Sequence, residues 1–276
     1  DEKKFLSISY KLLKNSTKLI DIDSKKLACE LGFFVERVNV GKERYFSPLV
    51  NSGIVKSNQI EFVVNYVIPG SSADEAGIKV GDVIAEIDGR KIFGTDDPIE
   101  KKTEKLNYFI KNTCLASYSP HTIKVYRINN GTAETHEITL IPDRIPAIAL
   151  HLVDSKIINA WTDGKSISVT TALFNTFDDQ DYLAAIIGHE LSHVLLGHPE
   201  KTTKRAIIGE ILGLAVDIAV AATTGINTQG IFGGLGRTAG VLVFSKQQEK
   251  EADFTSVYLL AISGFDYKKA PEVFRK

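Results

Sequence analysis

The spacing of hydrophobic residues changes twice along the chain. Near the start, apolar residues recur every three or four positions among lysines, which is typical of an amphipathic helix. The next hundred or so residues alternate in short runs broken by Gly, Pro and Asn, as in strands joined by turns. After about residue 147, two further strands lead into helical spacing. The pattern predicts an α+β protein of three segments, 1–25, 26–143 and 144–276.

The first segment is predicted to form a helix with one apolar face. Packing of that face against a neighbouring domain is favoured over a role at a membrane surface. The apolar positions, which are separated by lysines, are Phe5, Ile8, Leu12, Leu13 and Ile20.

The second segment carries the signals of a β-rich domain. Asp88-Gly89 is typical of a tight turn, and Asn129-Asn130-Gly131 joins two alternating strands. Pro98 favours a helix over about 97–112, because proline is tolerated at the first helical position. The strands are predicted over Ile60–Val67, Val83–Ile87, Thr122–Arg127 and Thr132–Leu140.

Composition and charge exclude some classes of protein. Of 276 residues, 43% are apolar and 24% are charged, which is ordinary for a globular protein with a core. The net charge is −1, and the basic residues form no stripe, so no nucleic-acid partner is predicted. Cys29 and Cys114 are too few for a disulfide scaffold or a cysteine zinc site. A Cys29–Cys114 pair and two buried thiols remain equal alternatives.

A pair of histidines indicates the chemistry of the third segment. His189 and His193 lie four residues apart on a helix predicted over about 179–196, opposite its apolar stripe. Two imidazoles at this spacing can bind one zinc ion. Glu190 follows the first histidine, and its carboxylate can reach a water on the metal without being a ligand. Capping residues mark both ends of this helix: Asp178 or Asp179 before it and Gly197 after it.

A hydrogen-bonded histidine pair in a buried helix is the alternative explanation. It would leave three costly polar groups in one apolar region, whereas a metal accounts for all three. The metzincin pattern is excluded, because it requires Gly at 196 and His at 199, where this protein has Leu196 and Pro199. His198 is expected to pack or hydrogen-bond near the end of the helix.

The third metal ligand is expected in an acidic cluster downstream. Residues 249–253, Glu-Lys-Glu-Ala-Asp, are predicted to open another helix on which Glu249 and Asp253 share a face. One can ligate zinc while the other receives the N–H of a ligand histidine. A solvated acidic face is the alternative. Glu251 points elsewhere and is interpreted as a surface charge.

The second segment resembles a PDZ domain of the bacterial protease-associated type. The resemblance rests on residues 69–84, Pro-Gly-Ser-Ser-Ala-Asp-Glu-Ala-Gly-Ile-Lys-Val-Gly-Asp-Val-Ile. It implies a β-barrel-like PDZ domain over 26–143, which would bind extended peptides or the C-termini of proteins as an added strand. Leu31-Gly32-Phe33-Phe34 resembles the carboxylate-binding loop of such domains, with a plain strand start as the equal alternative.

The third segment resembles the HtpX and CAAX-prenyl-protease superfamily of zinc peptidases over about 147–270. Residues 188–193, Gly-His-Glu-Leu-Ser-His, the later Glu-x-Glu-Ala-Asp and the stretch 159–171 carry the resemblance. It implies a mostly helical, zincin-like domain with a small sheet and one zinc per protein molecule. The resemblance also implies that Glu249 is the third ligand, as in gluzincins. It implies that Asp253 supports a ligand histidine.

These assignments predict a zinc endopeptidase. Glu190 would be the general base, and an extended substrate would pair with Ser166–Thr170 if that strand is a sheet edge. The resemblance implies protein quality control in a bacterial cell envelope, periplasmic or membrane-associated, with any signal peptide removed. The expected partners are protein or peptide substrates and a peptide C-terminus at the PDZ domain.

The alternative function is a PDZ scaffold or chaperone-like protein with a zinc-bound but inactive or gated peptidase domain. The presence of Glu190 argues against it, because a binding module needs no general base. The apolar stretch 206–222 contains Glu210 and Asp217 and is shorter than the roughly 20 residues that cross a bilayer. It is predicted to be a buried helix, and the Gly-rich residues 225–240 a mobile cover near the cleft.

Overall fold

A computed structural model describes residues 2–56, 59–92, 100–101, 103–104, 119–202 and 244–274. Contacts divide the protein into a sheet unit, residues 27–145, and a helix unit, residues 1–26 together with 146–276. Helices and strands both occur, so the predicted α+β class is confirmed. Four predictions lie outside the described residues: Cys114, the segments 206–222 and 225–240, and most of the helix over 97–112.

Antiparallel strands form the body of the sheet unit. They are β1 (Leu27–Glu30), β2 (Phe33–Asn39), β3 (Ile60–Val67), β4 (Val83–Ile87), β5 (Arg90–Lys91), β6 (His121–Asn129), β7 (Thr132–Leu140) and β8 (Asp143–Pro146). The main sheet has the order β2-β3-β4-β6-β7, with β5 paired to β4, and β1 pairs separately with β8. β2 is therefore an edge strand of the main sheet.

Two hairpins have the turns that the sequence predicts. β4 and β5 are joined through Asp88 and Gly89, whose φ angles are 48° and 72°. β6 and β7 are joined through Asn130 and Gly131, whose φ angles are 49° and 75°. Positive φ at both central residues defines the type I′ turn, which Asn, Asp and Gly adopt at the lowest cost.

Two short helices cover the sheet unit on opposite faces of β4. Ala73 of α3 (Ser72–Ala76) packs in the same apolar cluster as Ile84. Leu49 of α2 (Ser47–Asn51), a helix that the sequence did not predict, packs in the other cluster with Val83. Since both faces of β4 are covered, its first three residues, Val83 to Ala85, are apolar in succession rather than alternating with polar ones.

A buried ion pair fixes the backbone just before β4. Asp82 is fully buried, and Arg127 of β6 donates to its two carboxylate oxygens from Nε and Nη2, at 2.7 Å each. The same Nη2 donates to the carbonyl of Gly77 at 2.8 Å, and the backbone N–H of Lys79 donates to Asp82 at 2.9 Å. The Asp82 carboxylate is thus hydrogen-bonded on both oxygens, as a buried charge requires.

Helices dominate the helix unit, beside one small sheet. The elements are α1 (Glu2–Ser16), β9 (Ala149–Val153), β10 (Ala160–Thr162), β11 (Ser166–Thr170), α4 (Thr171–Thr176), α5 (Gln180–Leu195), α6 (Lys246–Ile262) and α7 (Ala270–Phe274). The sheet has the order β10-β11-β9, with β11 parallel to β9 and antiparallel to β10.

The N-terminal helix buries the apolar face that its sequence predicts. α1 contacts α5 and α6, and its predicted apolar positions through Leu13 are at most 3% exposed. The helix ends at Ser16, so Ile20 lies beyond it. Among the described helices, none is both long enough and apolar enough to cross a bilayer.

Candidate metal centre

The ends of α5 are fixed by the residues that the sequence marks for this purpose. The side chain of Asp179 caps the first turn by accepting the backbone N–H of Asp181 at 2.9 Å. Gly197 follows the helix in the left-handed conformation, with a φ of 66°. Between these ends, His189 and His193 lie one turn apart on the same face.

A capping box fixes the start of α6. The hydroxyl of Ser245 accepts the backbone N–H of Gln248 at 3.3 Å, and the Gln248 side chain accepts the backbone N–H of Ser245 at 2.9 Å. The helix therefore begins at Lys246, earlier than the start predicted at Glu249. Because α6 packs against α5, the Glu249 carboxylate in its first turn lies next to the histidine pair.

Three potential ligand atoms converge between α5 and α6. The Nε2 atoms of His189 and His193 lie 3.1 Å apart, and Oε2 of Glu249 lies 3.3 Å and 3.7 Å from them. Ligand atoms at normal bond lengths from one tetrahedral zinc are about 3.3 to 3.6 Å apart. The triangle therefore has the size of one face of a zinc coordination tetrahedron. Two imidazole nitrogens and a carboxylate oxygen are also a donor set that zinc accepts.

Asp253 lies behind the first histidine of the pair. Its Oδ1 is 3.0 Å from Nδ1 of His189, on the side of the ring away from Glu249. A proton on Nδ1 facing this carboxylate leaves the lone pair of Nε2 directed at the other two ligand atoms. The arrangement is the one expected of a metal-binding histidine and its supporting carboxylate.

Glu190 is partly buried on the same helix as the two histidines. Burial raises its pKa to about 7, and the negative charge of Glu249 acts in the same direction. A dication held by the ligand triangle would oppose this shift by favouring the carboxylate. The Glu190 carboxyl is therefore suited to exchanging a proton near neutral pH.

His193 is the more deeply buried of the two histidines. It is 1% exposed, and its imidazole stacks on the Phe244 ring, with the centroids 3.9 Å apart and the planes 18° apart. Burial lowers its pKa to about 3, and the neighbouring His189 and His198 act in the same direction. His193 is therefore neutral at physiological pH, as a metal-binding imidazole must be.

His198 and Glu251 form a hydrogen-bonded pair that the sequence did not predict. His198 is fully buried, with Nδ1 3.0 Å from Nδ1 of His193 and Nε2 3.1 Å from Oε2 of Glu251. Two hydrogen bonds hold the pKa of Glu251 below its usual value: the larger effect comes from Gln247 and the smaller from His198. Glu251 is a surface charge, as interpreted, since 44% of its side chain is exposed, but it also accepts a hydrogen bond from the buried His198. The hydrogen-bonding role expected for His198 is present.

The small sheet corrects the hypothesis on substrate pairing. Ser166–Thr170 is β11, which is paired with β9 on one side and with β10 on the other. The strand is therefore central rather than at an edge, and its backbone groups are already occupied. β10 is an edge strand of this sheet as ordered in the described residues, and it contacts α5.

Comparisons with known proteins cover both units. Residues 140–274 match peptidase family M48, and residues 63–100 match a PDZ domain family. The resemblances to a metallopeptidase and to a PDZ domain are both confirmed by these matches.

Three relatives share part of the sequence. The beta-barrel assembly-enhancing protease of Yersinia pestis is 30% identical over 132 residues, which are 46% of this chain and 27% of that protein. The mitochondrial metalloendopeptidase OMA1 of Arabidopsis thaliana is 31% identical over 45% of this chain and 24% of that protein. The metalloprotease LoiP of Escherichia coli (strain K12) is 35% identical over 40% of this chain and 43% of that protein. The matches thus span about a quarter of the length of the first two relatives.

Proposed function

We propose that the protein is a zinc-dependent endopeptidase acting on protein substrates, because residues 140–274 match peptidase family M48. The family implies a metal cofactor. The observation that carries the proposal is the triangle of His189 Nε2, His193 Nε2 and Glu249 Oε2. Glu190 follows His189 in the sequence and senses the charge of Glu249. One zinc per protein molecule fits this donor set, whereas magnesium and calcium prefer oxygen ligands alone.

The reaction proposed is hydrolysis of a peptide bond. Zinc, when bound, lowers the pKa of a water toward about 7 and polarises the scissile carbonyl. Glu190 accepts a proton from the attacking water and delivers it to the nitrogen of the leaving amine as the C–N bond breaks. Asp253 keeps His189 in the tautomer that directs Nε2 at the metal.

Two sheet edges offer positions for extended polypeptide. β10 lies at an edge of the small sheet and contacts α5, so a substrate strand added there would run close to the ligand triangle. Among the described strands, β2 lies at an edge of the main sheet, and it begins within Leu31-Gly32-Phe33-Phe34, the proposed carboxylate-binding loop. A peptide C-terminus is the proposed ligand of the PDZ domain.

The proposed setting is protein quality control in a bacterial cell envelope, periplasmic or associated with a membrane. Its support is the similarity to the beta-barrel assembly-enhancing protease of Yersinia pestis. The second candidate function is a PDZ scaffold whose peptidase domain binds zinc but is inactive or gated. The PDZ match favours the scaffold, because PDZ domains bind peptides. Glu190, which senses the charge of the Glu249 ligand, favours an enzyme, because a scaffold needs no general base.

Metal dependence tests the proposal. The protein is stripped with a chelator, and cleavage of fluorescent casein is followed after addition of zinc or of magnesium. We expect zinc alone to restore cleavage. Glu249→Gln should bind zinc at least about 100-fold more weakly, since loss of a supporting group alone costs 10- to 100-fold. The matched control is Glu200→Gln, at a surface glutamate paired with Lys26, which should behave as wild type. Cleavage that survives full removal of metal would refute the proposal.

A further inference from the structure

His198 is placed against the rear of a ligand histidine by the end of α5. Gly197 leaves the helix in the left-handed conformation and turns the backbone, so that the next side chain packs under His193. The two imidazole centroids are 5.1 Å apart and the rings are inclined at 70°. His198 thus contacts His193 through Nδ1, on the opposite side of the ring from the ligand atom Nε2.

The nitrogen atoms of this pair admit only one protonation pattern that suits a metal. At 3.0 Å, one of the two Nδ1 atoms must donate and the other must accept. When His193 directs the lone pair of Nε2 at a metal, its proton is on Nδ1 and it is the donor. His198 then accepts at Nδ1, carries its own proton on Nε2, and donates that proton to Glu251.

The opposite pattern is disfavoured by Glu251. If His198 donated from Nδ1, His193 would carry its proton on Nε2, directed into the ligand triangle. The bare Nε2 of His198 would then face the Glu251 carboxylate at 3.1 Å, where both atoms are acceptors. The Glu251 carboxylate therefore selects the tautomer of His198, and through His198 it selects the tautomer of His193.

We propose that His198 and Glu251 form a positioning relay that fixes the tautomer and ring orientation of His193 for metal binding. This inference rests on the proposed function, because it assumes a metal at the ligand triangle. Neither relay residue belongs to the ligand triangle of His189, His193 and Glu249. Each ligand histidine then has its own carboxylate, directly from Asp253 for His189 and through His198 for His193.

The first two turns of α6 hold the relay in place. Gln247 donates to Oε1 of Glu251 at 2.9 Å, which leaves Oε2 for His198. Gln248, a member of the capping box, also donates to the backbone carbonyl of His198 at 3.4 Å. The segment that presents Glu249 therefore also fixes the groups behind His193. This accounts for three acidic residues within five positions, since one faces the metal and two support its histidines.

Metal affinity of the full-length protein tests the relay. Zinc binding is measured by competition with a chromophoric chelator, and the folding of each metal-free variant is checked by thermal denaturation. His198→Leu removes both hydrogen bonds and is expected to weaken zinc binding 10- to 100-fold. His198→Asn keeps an acceptor near the position of Nδ1 and should recover part of that loss. Glu251→Gln should lose about tenfold, because an amide no longer selects the tautomer. Glu200→Gln is the surface control.

The outcomes separate the relay from the metal site itself. A folded His198→Leu with the zinc affinity of wild type overturns the relay and leaves the proposed function intact. Equal losses in His198→Leu and His198→Asn also overturn it, because the acceptor would then be irrelevant. If His198→Leu does not fold, His198→Asn and Glu251→Gln decide the question, and wild-type affinity in both overturns the relay. A wild-type protein that binds no zinc refutes the proposed function and the relay together.

Discussion

Asp253→Asn removes a single negative charge from behind the candidate ligand His189. The carboxylate lies 3.0 Å from Nδ1 of His189, and asparagine has nearly the same shape. Loss of a carboxylate behind a metal-binding histidine costs 10- to 100-fold in metal affinity, or about 1.4 to 2.7 kcal/mol. Since 43% of the Asp253 side chain is exposed, water screens the charge and we expect the lower end, about tenfold.

The assay is zinc competition with a chelator, beside thermal denaturation of the metal-free protein. Asp253→Asn should keep the melting temperature of the metal-free wild type, because the substitution leaves packing unchanged. Asp178→Asn, at an exposed carboxylate just before α5, is the matched control for a lost negative charge. Unchanged zinc affinity in Asp253→Asn would refute the role assigned to this carboxylate. An equal loss in Asp178→Asn would show that general electrostatics, rather than the contact with His189, is responsible.

Three predictions concern stability. Asp82→Ala removes the partner of Arg127 and should lower the free energy of unfolding of the sheet unit in urea titrations. The expected loss is about 3 kcal/mol, the lower end for a buried pair, because 16% of the Arg127 side chain is exposed; a loss below about 1 kcal/mol would contradict this. Gly32→Ala should destabilise the same unit, because φ is +83° and the new Cβ would lie 2.2 Å from Cβ of Ser71; an unchanged urea midpoint would contradict it. Backbone N–H groups in the β10–β11 turn, that of Lys165 foremost, lower the pKa of Asp163. This stabilisation is present above about pH 3.9 and is lost as pH falls through the lowered pKa. Asp163→Ala should therefore melt earlier than wild type at pH 7, and the difference should shrink as the pH is lowered below about 3.9.

The sequence predicts the parts of the fold that depend on neighbouring residues. β3, β4, β7 and β11 have the predicted bounds, because alternation and turn residues are local signals. The two ends of α5 were also predicted, from Asp179 and Gly197, whose capping chemistry does not depend on distant residues. The spacing of His189 and His193 predicts a candidate metal site for the same reason, and their Nε2 atoms converge with Glu249.

The remaining features depend on residues that are distant in the sequence. Glu251 is 53 positions from His198, so helical spacing places it at the surface but gives no sign of its hydrogen bond with His198. No local pattern encodes the order of strands in the small sheet. The sequence therefore does not show whether β11 is a central strand or an edge strand. The early start of α6 is the exception, because the Ser245–Gln248 capping box that marks it is a local signal.

We propose that Glu190 acts as the general base beside a zinc held by His189, His193 and Glu249. Cleavage of casein by zinc-loaded wild type and Glu190→Gln, with the zinc content of each determined, tests this role. We expect both proteins to hold one zinc and the variant to cleave at least about 100-fold more slowly, as for loss of a general base. Equal cleavage by the two proteins, or zinc bound to a wild type that cleaves nothing, would contradict it.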